Sequence, residues 1–196
     1  MPVITCCMKK NAFSLVLILW LFVFSIVNST ADFPEEIPFV PTPIEVVDKM
    51  LEIAEVQKDD VVYDLGSGDG RVVIRAAKKV GARGVGIEMD QTLLDQARKA
   101  ATAEGVSHLV EFRAEDALKT DLSPATVVTL YMLPWFNEAM KPNFQKYLKP
   151  GSRIVAHDFG IEGWKPDKTE KLPQPEKKAG GYVHYHSILL WNVGKN

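Results

Sequence analysis

Val61-Val62-Tyr63-Asp64-Leu65-Gly66-Ser67-Gly68-Asp69-Gly70-Arg71 decides the architecture of this chain. A short apolar run of β type enters a turn holding three glycines, and apolar residues at helical spacing (Val73, Ala76, Ala77, Val80) begin just beyond it. The same alternation continues downstream. Gly84-Val85-Gly86-Ile87, Leu109-Val110-Glu111-Phe112, Thr126 to Tyr131 and Arg153-Ile154-Val155-Ala156 read as strands. Leu94, Ala97 and Ala101 mark one intervening helix, and Trp135 to Leu148 another, with Pro142 a kink or break inside it. Upstream, Thr42-Pro43-Ile44-Glu45 has the form of a capping box, with Thr42 at the N-cap and Pro43 at the first helical position. Strands alternating with helices of this length predict an α/β domain with a doubly wound, mostly parallel sheet. No helical pattern follows Tyr182 to Val193, which reads as antiparallel closing strands, and the polar stretch before it reads as a loop.

The rest of the sequence sets bounds. A chain of 196 residues, 46% hydrophobic and 24% charged, has room for one domain with a real core. Residues 1–31 carry Lys9, Lys10 and no acid, so the remainder holds 21 basic against 25 acidic residues, a net of −4. That balance gives no general attraction for phosphate backbones, and nucleic acid is not expected as the main partner. Both cysteines, Cys6 and Cys7, lie outside the folded body, which excludes a disulfide or cysteine-based metal site there. Ala12 to Val27 is almost wholly apolar, preceded by Lys9-Lys10 and followed by Asn28-Ser29-Thr30-Ala31. This is the form of a secretory signal peptide cleaved after Ala31, or of an uncleaved membrane anchor. Either places the following domain across a membrane, exported or tethered by that segment alone. Met8-Lys9-Lys10 is itself a typical start for such a segment. The expected organisation is therefore a leader over 1–31, a proline-rich lead-in over 32–43 and one domain over 44–196.

In an open α/β sheet, ligands bind beyond the carboxyl ends of the strands, at the switch point beside the first one. Glycines there allow close approach of a ligand to the backbone. A plain tight turn is the simpler reading of any single glycine pair. Here the spacing is G-x-G-x-G, Arg71 stands where a dinucleotide fingerprint has its third glycine, and Asp64 precedes Gly66 by two positions. These features disfavour a nicotinamide dinucleotide and favour an adenosyl ligand without pyrophosphate. Glu88, at the end of the second strand, suits ribose hydroxyls, whereas Asp90 suits a helix N-cap. Glu115-Asp116-Ala117 follow the third strand, where an acid reaches an adenine edge or is simply a solvated loop residue.

Asp64-Leu65-Gly66-Ser67-Gly68-Asp69-Gly70, Glu88 and Asp116 resemble the S-adenosylmethionine-binding motifs of class I, seven-β-strand methyltransferases, which have a Rossmann-like fold. Phe39-Val40-Pro41-Thr42-Pro43, Val127 to Pro134 and His157-Asp158-Phe159 are similar to a narrower family of protein lysine methyltransferases. That family contains an archaeal broad-specificity enzyme and the mitochondrial enzymes acting on ATP synthase and on adenine nucleotide translocase. The resemblance implies S-adenosyl-L-methionine as cofactor. It also implies that Asp64 and the Gly66, Ser67, Gly68 backbone hold the methionine end, Glu88 the ribose, and Asp116 with Ala117 the adenine. Thr42 closes over the cofactor or only caps its helix. Tyr131, at the end of the fourth strand, positions the acceptor or is a rim tyrosine.

A lysine acceptor must lose its proton before attack, which an apolar, aromatic channel favours by desolvation. Tyr131, Trp135, Phe136 and Phe159 are candidates to line it, while His157 and Asp158 are possible helpers or structural residues. His184 and His186 share a strand face, but no third ligand is evident, so no metal site is expected and an exposed face is the preferred reading. Lys165, Lys168, Lys171, Lys177 and Lys178 read as a solvated loop. A protein lysine is the favoured acceptor, with a small molecule as the near alternative. An oxidoreductase and an exported, non-catalytic binding domain are the competing readings.

Overall fold

The computed structural model describes residues 38–174 and 185–195. Among the described residues, seven strands form one sheet: β1 (Val61–Leu65), β2 (Arg83–Glu88), β3 (Val110–Ala114), β4 (Val127–Leu130), β5 (Arg153–His157), β6 (Lys168–Pro173) and β7 (Tyr185–Asn192). Their spatial order is β3-β2-β1-β4-β5-β7-β6. The first five are parallel, and β7 runs antiparallel to both β5 and β6. Both the seven-stranded sheet and its antiparallel ending agree with the expectation.

Strand alternation assigns the two faces. Val62, Val127 and Val155 pack under helices α1 (Ile44–Ile53), α2 (Arg71–Val80) and α3 (Gln91–Ala103). Tyr63, Leu65, Val128, Leu130 and Ile154 face the other way, onto Phe136, Met140 and Phe144 of the segment holding α4 (Pro134–Ala139) and α5 (Lys141–Tyr147). The central strands β1, β4 and β5 are therefore largely apolar on both sides, as a covered parallel sheet requires. The helical stretch expected over 135–148, with a kink or break at Pro142, is two short helices meeting at Met140. Pro142, at the second position of α5, cannot supply an amide to a helix running through from α4.

Two local expectations are corrected. Thr42 is not the N-cap of α1. The helix begins at Ile44, Pro43 occupies the capping position in extended conformation, and no side chain caps the end. The Thr42 hydroxyl is buried instead against His157 Nδ1, 3.3 Å away. The polar stretch read as a loop contains β6, where Lys168 pairs with Glu170 at 2.7 Å. Lys177, Lys178 and His184, like the apolar segment at 12–27, lie outside the described residues.

Candidate active site

Chain direction creates the crevice. From β1 the chain winds outward through β2 to β3, then returns to place β4 on the other side of β1. The switch point thus lies between β1 and β4, at their carboxyl ends. Across it Asp64 is in register with Thr129, and Thr129 Oγ1 donates a 2.6 Å hydrogen bond to Asp64 Oδ1. Asp64 is 5% exposed, and burial pushes its carboxyl up to about 7, against the opposing pull of the Thr129 bond; the Asp69 and Glu88 charges push it further. A cationic ligand group beside it would reverse that shift.

The glycine turn follows directly. Gly66 and Gly68 have φ of 74° and 53°, in the left-handed region. A Cβ at Gly66 would stand 2.5 Å from Met132 Sδ, and one at Gly68 would stand 2.3 Å from the Phe39 ring. Both positions therefore require glycine for conformation and for space. The Gly66 and Ser67 amides each donate to Ile87 O at 2.9 Å, and the Gly68 amide donates to Glu88 Oε2 at 2.9 Å. The turn is thus stapled to β2, and its glycines bring backbone without side chains to the end of β1. Ser67 Oγ is buried and packs next to Gly86 of β2.

Glu88 is fixed by three backbone amides, because Met89 and Asp90 also donate to its Oε1, at 2.8 and 3.0 Å. Each carboxylate oxygen has more than one acceptor direction, so a rigid, half-buried carboxylate remains able to take further hydroxyl donors. Asp90 caps α3 as expected, accepting from Thr92 and Leu93 at 2.6 and 3.3 Å. Asp116 stands after β3, accepting from the Leu118 amide at 3.0 Å and pairing with Lys119 at 2.9 Å. Ala117 beside it is buried. An acid at or near the carboxyl end of each of three adjacent strands, with a glycine bend at the first, fits a nucleoside with a cationic substituent.

The segment before α1 closes one side. Arg71 grips Asp69 through two bonds of 2.9 and 2.6 Å and donates a third, 2.8 Å long, to Thr42 O. Phe39 lies against Gly68. The sequence carries no periodic signal for this tie, which joins residues 29 positions apart.

Tyr131 follows β4 directly and is half-buried. Its ring is 3.9 Å from the His157 ring, centroid to centroid, and stacks on Phe159 at 6.2 Å. Burial raises its phenol above the ordinary value, and the Asp158 charge adds to this, so it stays protonated at neutral pH. Phe136 is a core residue, 4% exposed, and does not line the opening, whereas Trp135 is half-buried against the same core. His186 is not on an exposed face: its side chain is 12% exposed and its Nδ1 lies 2.8 Å from His157 Nε2. Asp158 joins the pair, with Oδ2 at 3.3 Å from His157 Nε2 and 3.8 Å from His186 Nδ1. Burial depresses His157 to about 4, outweighing the opposing Asp158 charge, and keeps it neutral. The third neighbour of the pair comes from the end of β5, which the spacing on β7 could not reveal.

This sheet order, with its glycine bend and strand-end acids, defines a class I methyltransferase. The chain belongs to the ANTKMT methyltransferase domain family, whose profile matches residues 64–168. It is 39% identical to a protein-lysine N-methyltransferase of Saccharolobus islandicus over 82% of this chain and 96% of that protein. It is 30% identical to the adenine nucleotide translocase lysine N-methyltransferase of Mus musculus over 67% of this chain and 57% of that one. Among solved structures, an RNA methyltransferase from Salinibacter ruber in complex with S-adenosyl-L-homocysteine is 48% identical, with a TM-score of 0.71. That match covers 80% of this chain and 95% of the other.

Proposed function

We propose that the protein transfers a methyl group from S-adenosylmethionine to the side-chain amine of a protein lysine. The observation that carries this reading is the match to an archaeal lysine methyltransferase along 96% of its length, by a chain with the cofactor crevice described above. Asp64 and the bare glycine backbone would receive the methionine end, Glu88 the ribose hydroxyls, and Asp116 with Ala117 the adenine. When bound, the cofactor supplies an electrophilic methyl on a good leaving group. The chain's own work is alignment, and holding two reactants in line can contribute about 7–11 kcal/mol. Tyr131 and Phe159 border the opening with rings, and the buried, neutral His157 backs Tyr131. A cation over a ring gains about 0.5–2 kcal/mol, which orients an incoming ammonium. The same desolvated surroundings lower its pKa, so the amine arrives able to attack.

The name of the Salinibacter relative favours a second acceptor, RNA. Against it stand the net charge and the pairing of basic side chains: Arg75, Lys79, Arg113, Lys141 and Arg153 each sit on an acid. Such pairing reduces the positive charge offered to a phosphate backbone. The full chain, incubated with methyl-labelled cofactor and separate protein and RNA fractions, distinguishes the two. Label recovered as methyllysine supports the proposal, and label confined to RNA refutes it. We further propose that the apolar segment at 12–27 exports or tethers the domain, on the strength of its length, its Lys9-Lys10 flank and its small-residue exit.

A further inference from the structure

We propose that His157 Nε2, His186 Nδ1 and Asp158 Oδ2 form a binding site for one divalent cation of the zinc class, beside the acceptor wall. The proposal goes beyond methyl transfer and does not depend on which acceptor is used. The three donor atoms belong to β5, its C-terminal end and β7, and stand 2.8, 3.3 and 3.8 Å apart. A four-coordinate zinc with bonds of about 2.0–2.1 Å needs its ligand atoms about 3.3 Å apart. Two separations already reach that value. The third, between the imidazoles, opens by about half an ångström when a shared cation replaces the hydrogen bond between them.

Two surrounding features orient the donors. Thr42 Oγ1 stands 3.3 Å from His157 Nδ1. With the Nδ1 proton on that hydroxyl, the Nε2 lone pair is directed at the cluster, as outer partners of metal-bound histidines commonly arrange. Asp158 has φ of +60°, a conformation that costs a non-glycine residue of order 1–3 kcal/mol. It is held there by a reciprocal pair of 2.7 Å bonds, Asp158 N to Ser187 O and Ser187 N to Asp158 Oδ1. This turns Oδ2 toward both imidazoles at distances that suit a common cation better than hydrogen bonds. His157 is fully buried, whereas His186 and Asp158 are partly exposed, so access is from their side. Two histidines and one carboxylate, with a fourth position open, match zinc sites whose metal remains reachable.

The test uses the full chain, stripped with a chelator and titrated with Zn²⁺ by calorimetry, with Co²⁺ as a spectroscopic probe. Expected are one cation per chain and visible Co²⁺ bands of four-coordinate intensity. Asp158→Asn, which keeps the Ser187 bridge and tolerates the backbone angle, and His186→Ala should each weaken binding about 100-fold or more, and Thr42→Val about 10-fold. S-adenosylhomocysteine binding by His186→Ala should match the parent, which separates loss of the cation site from loss of the fold or of the cofactor crevice. His108→Ala, a change at an exposed histidine between α3 and β3, should leave Zn²⁺ affinity unchanged. Absence of saturable binding near one equivalent overturns the proposal, as does binding that survives in both His186→Ala and Asp158→Asn.

Discussion

Replacing Glu88 by alanine tests the cofactor assignment at its most exposed point. This carboxylate accepts from the amides of Gly68, Met89 and Asp90. Removing it costs the fold little at two of these, because Met89 and Asp90 are exposed and water replaces the lost acceptor. Gly68 is buried, and an orphaned amide there costs about 1–3 kcal/mol. A domain with about 5–15 kcal/mol of stability survives that loss. Binding is affected far more. Two hydrogen bonds from ribose hydroxyls to an ionised acceptor contribute about 1.5–3 kcal/mol each, so about 3–6 kcal/mol disappears. At 1.4 kcal/mol per tenfold, affinity for S-adenosylhomocysteine should fall by about 10²–10⁴. Calorimetric titration reads the affinity, and a urea midpoint on the same sample reads the fold. Glu88→Gln, which keeps one acceptor oxygen, should lie between parent and alanine variant. A folded Glu88→Ala protein that binds within about threefold of the parent would remove Glu88 from the ligand site and sink the reasoning.

Other consequences can be checked separately. Asp64 has a folded-state pKa near 7 against about 3.9 unfolded, so the native state binds the extra proton between those values. Stability should therefore be greatest below pH 4 from this group alone, fall as pH rises toward 7, and level off above it. Asp64→Asn should flatten that slope and raise the melting temperature at pH 8; an unchanged slope would show that Asp64 does not titrate in this range. A cationic ligand placed beside Asp64 should also expel its proton, so the apparent binding enthalpy near pH 6.5 should vary with the ionisation enthalpy of the buffer. Tyr131→Phe should keep S-adenosylhomocysteine affinity within twofold or so while kcat/KM for the acceptor drops about tenfold, an amount of order 1.4 kcal/mol. Equal losses of both would make Tyr131 a packing residue. Finally, fractionation of expressing cells and sequencing of the mature N-terminus should find the domain outside the cytosol, either starting at Asp32 or retained on the membrane. A cytosolic chain with residues 1–31 intact would refute export.

Much of this architecture could be read from the sequence, for a physical reason. The strands of a covered parallel sheet are apolar on both faces, and the helices between them bury one stripe, so each element announces itself locally. The glycine turn, Asp64, Glu88 and Asp116 were legible because they stand at strand ends, where position along the chain fixes position in space. What failed to show was set by distant partners. β6 (Lys-Thr-Glu-Lys-Leu-Pro) is an edge strand whose side chains are largely exposed, and its pairing with β7 defines it rather than any alternation of its own. The Thr42 side chain went to His157, 115 positions away, instead of to its own helix. His186 found its partner 29 positions away, on β5. Phe136 illustrates the opposite error, in which an aromatic residue near the site belongs wholly to the core.

The stapling of the glycine bend has a consequence for selectivity. Nucleotide enzymes that hold a diphosphate offer it free amide protons and the open end of a helix. In this chain the amides of Gly66, Ser67 and Gly68 already serve β2, and the guanidinium at the start of α2 is committed to Asp69 and Thr42. A diphosphate entering the bend would therefore meet donors already engaged in holding the bend itself.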